Sequence, residues 1–181
     1  MKGKIFTAQE VQAILAGNKT MFREVIKVQP PTYIKNVNFA GQGTWEWGNS
    51  GVYVEEPYQK GQKIFVKESF NIFAGQVAYK QSLANAEKYI WKPAQHMKQE
   101  HSRTTLLIKE IRVERLQDIN EEDCINEGFD YDWLEGKGNI LIAGSITNNF
   151  AKNWNSTHKK EEHKWESNPF VWSIQFEVVN E

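Results

Sequence analysis

Short runs in which apolar and polar residues alternate dominate the chain, and three brief segments follow helical spacing instead. Lys4-Ile5-Phe6-Thr7 reads as a short strand. Thr7-Ala8-Gln9-Glu10 carries the capping-box pattern, in which a hydroxyl accepts from the first helical amides and Glu three residues on reaches back. Val11, Ile14 and Leu15 then fall at i, i+3 and i+4, giving one apolar face, and Gly17 suits the position just past a helix end. Phe22 to Val28 reads as the next strand, stopped by Pro30-Pro31. Residues 33–39 and 44–48 pair with 51–55 as hairpins around the Gly48-Asn49-Ser50-Gly51 turn.

Further on, 63–68 and Gln76–Lys80 are short strands, and 83–101 is mixed. Arg103 to Leu116 alternates and is too β-branched for a helix, so it is read as a long strand with a bulge. Asp118 or Asn120 caps a second helix through Glu127, ended by Gly128, and a polar loop precedes a third helix near 146–154 with Phe150 and Trp154 on one face. The last element is the cleanest: Phe170, Trp172, Ile174, Phe176 and Val178 alternate with Val171, Ser173, Gln175 and Glu177, predicting a half-buried strand. Six or seven strands with two or three short helices make an α+β domain, and a small curled barrel with helices at its mouth accommodates them.

Composition changes this picture little. The 181 residues suit one domain with a sizeable core. Seven Trp favour a β-rich core or a stacking surface; on Trp45 and Trp47 we favour the core face of a sheet. The net charge of −1 excludes a globally basic nucleic-acid binder. Its distribution is uneven: residues 1–35 carry a net +4 and residues 110–135 a net −8. The two segments either meet or are separate surfaces. Cys124 stands alone, which excludes a disulfide framework, and no run of eighteen apolar residues or secretory leader is seen, so an intracellular, cytoplasmic protein without membrane contact is expected.

Candidate chemistry gathers after the first helix. Lys19, Thr20 and Arg23 put a cation, a hydroxyl and a guanidinium within five residues, which suits an anionic or carbonyl-bearing ligand. The same residues suit a solvated turn leading into an edge strand. His96 and His101 are five apart, as are His158 and His163, which does not place either pair on one helical face. No metal site is expected, no cofactor is expected, and no phosphate-binding glycine loop occurs.

Ile5-Phe6, the helix, and Gly17-Asn18-Lys19-Thr20-Met21-Phe22-Arg23 resemble the signature of ASCH domains, relatives of the PUA-like β-barrels. The chain resembles in particular the longer ASCH proteins encoded by phages and prophages. They share segments like Gly61–Phe70, Trp91-Lys92-Pro93, His96-Met97, Ile111–Leu116, Asp118–Gly128 and Trp165–Trp172, in this order. The resemblance implies a single ASCH-type domain over residues 1–181, a PUA-like pseudobarrel of about six strands, with loop insertions around 30–60 and 130–165. It also implies a cleft floored by the helix-to-strand turn and lined by Lys19, Arg23 and Glu127.

For function, the resemblance implies binding of RNA or a modified nucleoside in that cleft. Arg23, Phe22, Lys67, Glu68, Trp91, His96 and Arg103 are the candidate ligand-binding residues; the cations would meet phosphate and the rings a base. A second implication is amide hydrolysis on an acylated nucleoside such as acetylcytidine, with Lys19, Glu127 and Thr20 as catalytic candidates. There the chain departs from the pattern: Phe22 occupies the position of the enzymes' Thr, and Thr20 lies two residues earlier, about 6–7 Å away along a strand. A protein-interaction module with a host partner is a third class, and an exposed aromatic patch away from the cleft would favour it.

Overall fold

The segment Phe170–Val179, the clearest in the pattern, lies near the middle of the principal sheet rather than on a half-covered face. The computed structural model describes residues 1–31, 34, 36–83, 85–129 and 146–179. Among these, the chain forms ten strands: β1 (Lys2–Ile5), β2 (Met21–Val25), β3 (Val37–Gly41), β4 (Thr44–Trp47), β5 (Tyr53–Glu55), β6 (Lys63–Lys67), β7 (Phe70–Phe73), β8 (Gln76–Tyr79), β9 (Thr105–Arg115) and β10 (Phe170–Val179). The helices are α1 (Ala8–Leu15), α2 (Glu121–Asn126) and α3 (Ile146–Thr157). The fold is α+β, as the pattern predicts. The polar loop expected after Gly128 falls outside the described residues.

Five strands form the principal sheet in the order β1-β6-β9-β10-β2. β1 and β6 are parallel; the other pairs are antiparallel. The sheet curls until its edge strands approach: Phe6, just past β1, meets Phe22 of β2 edge to face at 5.6 Å, and Lys4 pairs with Glu24 at 2.6 Å. Helix α1 links those two edges directly, so the seam between them is the gap in an incompletely closed barrel. The bulge expected in the long strand is present, where Gln175 faces Glu110 but Phe176 faces Ile108, leaving Lys109 as the extra residue.

The period-two pattern sorts β10 onto two cores. Phe170, Trp172, Ile174 and Phe176 join Phe22, Ile64, Leu106 and α1's Val11 and Ile14 inside the curl. Val171 points the other way, fully buried with Leu116, Cys124 and Phe150 beneath α2 and α3. Burial of a side chain such as Val171 or Ile174 contributes about 1.5–3 kcal/mol. The expectation of a half-buried strand fails because these helices cover the face that Ser173 and Val171 present. Periodicity reads the alternation but cannot see what packs on the second face.

The hairpins expected within 33–55 form the separate sheet β3-β4-β5, and its Trp47 packs on Phe170 at 4.7 Å. A third, two-stranded ribbon, β7–β8, is followed by short 3-10 turns through His101. No described helix is long and apolar enough to cross a membrane.

Candidate functional site

Helix α1 begins on a complete capping box: Thr7 accepts from the Glu10 amide at 3.3 Å and Glu10 accepts from the Thr7 amide at 2.7 Å. It ends at Ala16, and Gly17 takes the left-handed conformation (φ +78°) that turns the chain back. Asn18 and Lys19 both donate their amides to the Ala13 carbonyl, at 2.8 and 3.1 Å, which fixes Lys19 two residues before β2. There Lys19 forms an isolated antiparallel bridge with Glu127, the C-cap of α2. Gly128 follows with φ +90°; an added Cβ would stand 3.3 Å from the Ala13 Cβ and 3.4 Å from the Lys19 Cβ, so glycine permits the close approach.

The oppositely charged segments of the sequence therefore do meet. Lys19, 2% exposed, donates from Nζ to the Glu127 carbonyl at 2.8 Å and to Glu127 Oε2 at 3.0 Å, with Glu10 Oε1 at 3.5 Å. All five N–H groups of Arg23 have acceptors. Nε and Nη2 donate to Glu114 Oε1, Nη2 also to Asp123 Oδ2 at 2.6 Å, and Nη1 to Glu127 Oε1 at 2.9 Å and to Met21 Sδ at 3.4 Å. Burial by itself would lower the Arg23 pKa; Glu127 and then Glu114 reverse this and hold it above the usual guanidinium value. Arg112 stands outside, 3.7 Å from both Glu114 and Asp123.

Part of this network, Lys19, Arg23, Glu127 and Glu10, lines a cavity of about 850 Å³ in the seam, together with Trp154 and His158. Trp154 and His158 stack at 3.9 Å with planes 11° apart. His158 Nδ1 lies 3.0 Å from the Thr157 hydroxyl and 3.1 Å from the Trp154 carbonyl, and any bond to that carbonyl is one the ring nitrogen donates. Burial lowers the His158 pKa; the Trp154 carbonyl works against that shift, and the charges of His163 and Lys4 add to it.

The arrangement limits the chemistry. Both cations are already bonded to carboxylates, so an incoming phosphate would have to displace one. Glu127, by contrast, receives one bond on each carboxylate oxygen from a side chain, and a carboxylate has roughly four acceptor sites. The unused capacity on the cavity floor belongs to an acceptor.

The other sequence candidates are placed differently. Thr20 donates its hydroxyl to Asn126 Oδ1 at 3.2 Å and does not line the cavity, because the bridge at Lys19 turns it toward the end of α2. Phe22 borders the cavity but is 3% exposed, its ring enclosed by Phe6, Tyr58 and Phe176. Lys67, Glu68, Trp91, His96 and Arg103 do not line the cavity. Arg103 grips Glu68 through both oxygens at 2.8 and 2.9 Å and covers the Tyr79 ring at 4.2 Å, bracing the β7–β8 ribbon. Lys67 donates to the Gln95 carbonyl at 2.7 Å, and Trp91 to the Ala86 carbonyl.

Sequence reasoning missed Glu10 as more than a cap, and missed Glu114, Asp123, Trp154 and His158. The alternation of Glu110, Arg112 and Glu114 on one face of β9 was the available signal for Glu114, since register sets it beside the Arg23 face.

No family model matches the chain, and no curated protein matches it. Among solved structures, it is similar to a DUF984 protein from Enterococcus faecalis V583, at 10% identity and a TM-score of 0.48, over 99% of this chain and 81% of that one. It is also similar to an ASCH domain from Lactobacillus crispatus JV V101, at 14% identity and a TM-score of 0.41, over 99% of this chain and 80% of that one.

Proposed function

We propose that the chain binds RNA or a modified nucleoside by taking a base into the cavity above Glu127. The observation that carries this reading is the Glu127 carboxylate, held between Lys19 Nζ and Arg23 Nη1 with acceptor capacity left over. A carboxylate so placed accepts from an exocyclic amine such as the cytosine N4 group, and the half-buried His158 ring, backed by the buried Trp154, supplies an aromatic wall. The volume of about 850 Å³ lies within the range of small-molecule sites and exceeds what one nucleoside fills. The resemblance of Gly17–Arg23 to the ASCH signature supports the same assignment. Calorimetric titration with a nucleoside panel and short RNAs tests it. Amine-bearing bases should bind better than uridine, and Glu127→Gln, if folded by circular dichroism, should erase the preference. Absence of binding across the panel, or an unchanged preference in that variant, overturns the reading.

The 3.0 Å contact between Lys19 and Glu127 favours a second reading, hydrolysis of an acylated nucleoside. Thr20 is bonded to Asn126, so the attacking group would be a water activated by Glu127, with Lys19 facing the developing oxyanion. Release of acetate from acetylcytidine, lost in Lys19→Ala, is the expected result; no release at high enzyme concentration removes this reading and leaves binding.

A further inference from the structure

Among the described residues, the ribbon β7–β8 and the coil that returns beside it expose several large apolar side chains outside the cavity. Ile90 is 89% exposed, and Ile72, Phe73 and Tyr89 are exposed with it. Phe73, Tyr89 and Trp91 form an aromatic trio with centroids 5.6, 6.3 and 6.4 Å apart, and their planes meet at steep angles. The trio is held in place by hydrogen bonds. Phe70 and Lys92 exchange backbone bonds at 3.2 and 2.8 Å, Asn71 Nδ2 donates to the Ile90 carbonyl at 2.7 Å, and the Trp91 indole donates to the Ala86 carbonyl at 2.7 Å. With its N–H so occupied, Trp91 has only its π-surface to offer a partner.

Charge decides what fits this surface. Residues 70–92, the ribbon and its returning coil, hold three Lys against Glu87, a net of +2 in a chain whose total is −1. Glu68 is buried against Arg103, so its charge is neutralised inside the fold. Lys80, Lys88 and Lys92 are exposed on the ribbon and its returning coil. Fixed aromatic rings flanked by ammonium groups match a single-stranded nucleic acid, whose bases stack without sequence preference while its phosphates meet the cations. A second copy of the chain would bring like charge to like charge, and an acidic peptide would leave the ring faces without stacking partners.

We propose that this aromatic ribbon is a binding surface for single-stranded nucleic acid, separate from the cavity. It uses none of Lys19, Arg23 or Glu127, so it stands or falls independently of the nucleoside reading. Fluorescence anisotropy of labelled oligo-rU and oligo-dT with the full-length protein tests it. Both strands should bind at low salt, a duplex more weakly because its bases are already stacked, and affinity should fall as salt rises. Tyr89→Ala, at an exposed position, should weaken binding roughly tenfold, Tyr89→Phe should restore it, and Lys88→Ala with Lys92→Ala should flatten the salt dependence. Nucleoside titration into the cavity should be unaffected by Tyr89→Ala. No binding to either strand at low salt, equal binding by Tyr89→Ala, or a concentration-dependent dimer dispersed by Ile90→Ser each overturns the proposal.

Discussion

Lys19 and Glu127 hold each other twice, once through the carboxylate at 3.0 Å and once through the main-chain carbonyl of the same glutamate at 2.8 Å. The second bond survives any change of the Glu127 side chain, whereas the first supplies the charge that balances a buried ammonium.

Glu127→Ala should therefore leave Lys19 in place but leave it and Arg23 short of a counter-charge, at a cost of about 3–5 kcal/mol. Glu127→Gln keeps one acceptor oxygen but removes the same charge and turns an NH2 toward one of the two cations, so it should cost nearly as much. Urea unfolding measures both; a Glu127→Gln variant as stable as the parent would show that charge is not what the carboxylate contributes.

Arg23→Lys is expected to be a damaging substitution despite conserving charge. A guanidinium reaches Glu114, Asp123 and Glu127 at once, and an ammonium has three donors and no fork. Loss of two charge-assisted bonds corresponds to about 3 kcal/mol or more. A double-mutant cycle with Glu114→Gln should show strong coupling, since Glu114 takes two of the five bonds.

His158 makes stability pH-dependent in a defined direction. Its folded pKa lies below the ordinary 6.5, so the folded state binds the proton less readily than the unfolded chain does. Its contribution is present above pH 6.5 and is lost as pH falls through the folded value. Chemical denaturation between pH 7.5 and 5 should show the decline, and His158→Gln should flatten it; an unchanged slope in the variant would assign the decline to other groups.

Gly128→Ala combines two faults, a left-handed backbone and a Cβ pressed against Ala13 and Lys19. Gly61→Ala shares the positive φ (+81°) but meets nothing within 4 Å. Strain alone costs on the order of 1 kcal/mol, so Gly61→Ala should fall near that and Gly128→Ala clearly beyond it. Melting curves of the two variants separate crowding from strain.

Local chemistry was well written in the sequence. Thr7 and Glu10 announce a capping box that forms as expected, Gly17 marks the residue after the helix cap, and Asn120 caps α2 through the Asp123 amide. The site was legible only in part. Lys19 stood out from its own neighbourhood, but nothing local in residues 110–129 distinguishes Glu127 from Glu121 or Glu122; its partnership came from a resemblance. Glu114 and Asp123 escaped notice because their role depends on register between β9, β10 and β2 and on which face α2 covers. Candidates taken from the 61–103 region joined a different surface for the same reason, since position along the chain does not say which side of a curled sheet a ribbon reaches.

The bonds from Lys19 and Arg23 to Glu127 join residues 108 and 104 apart in sequence, and those from Arg23 to Glu114 span 91. No peptide fragment carries this site, and its amides should exchange with solvent only through openings that separate the first strands from the second helix. A ligand held there stabilises the entire cooperative unit, by about 2.7 kcal/mol at a hundredfold excess over its dissociation constant. Thermal shift is thus a sensitive way to search for the occupant, because whatever binds between those two distant segments must lock the folding of everything that connects them.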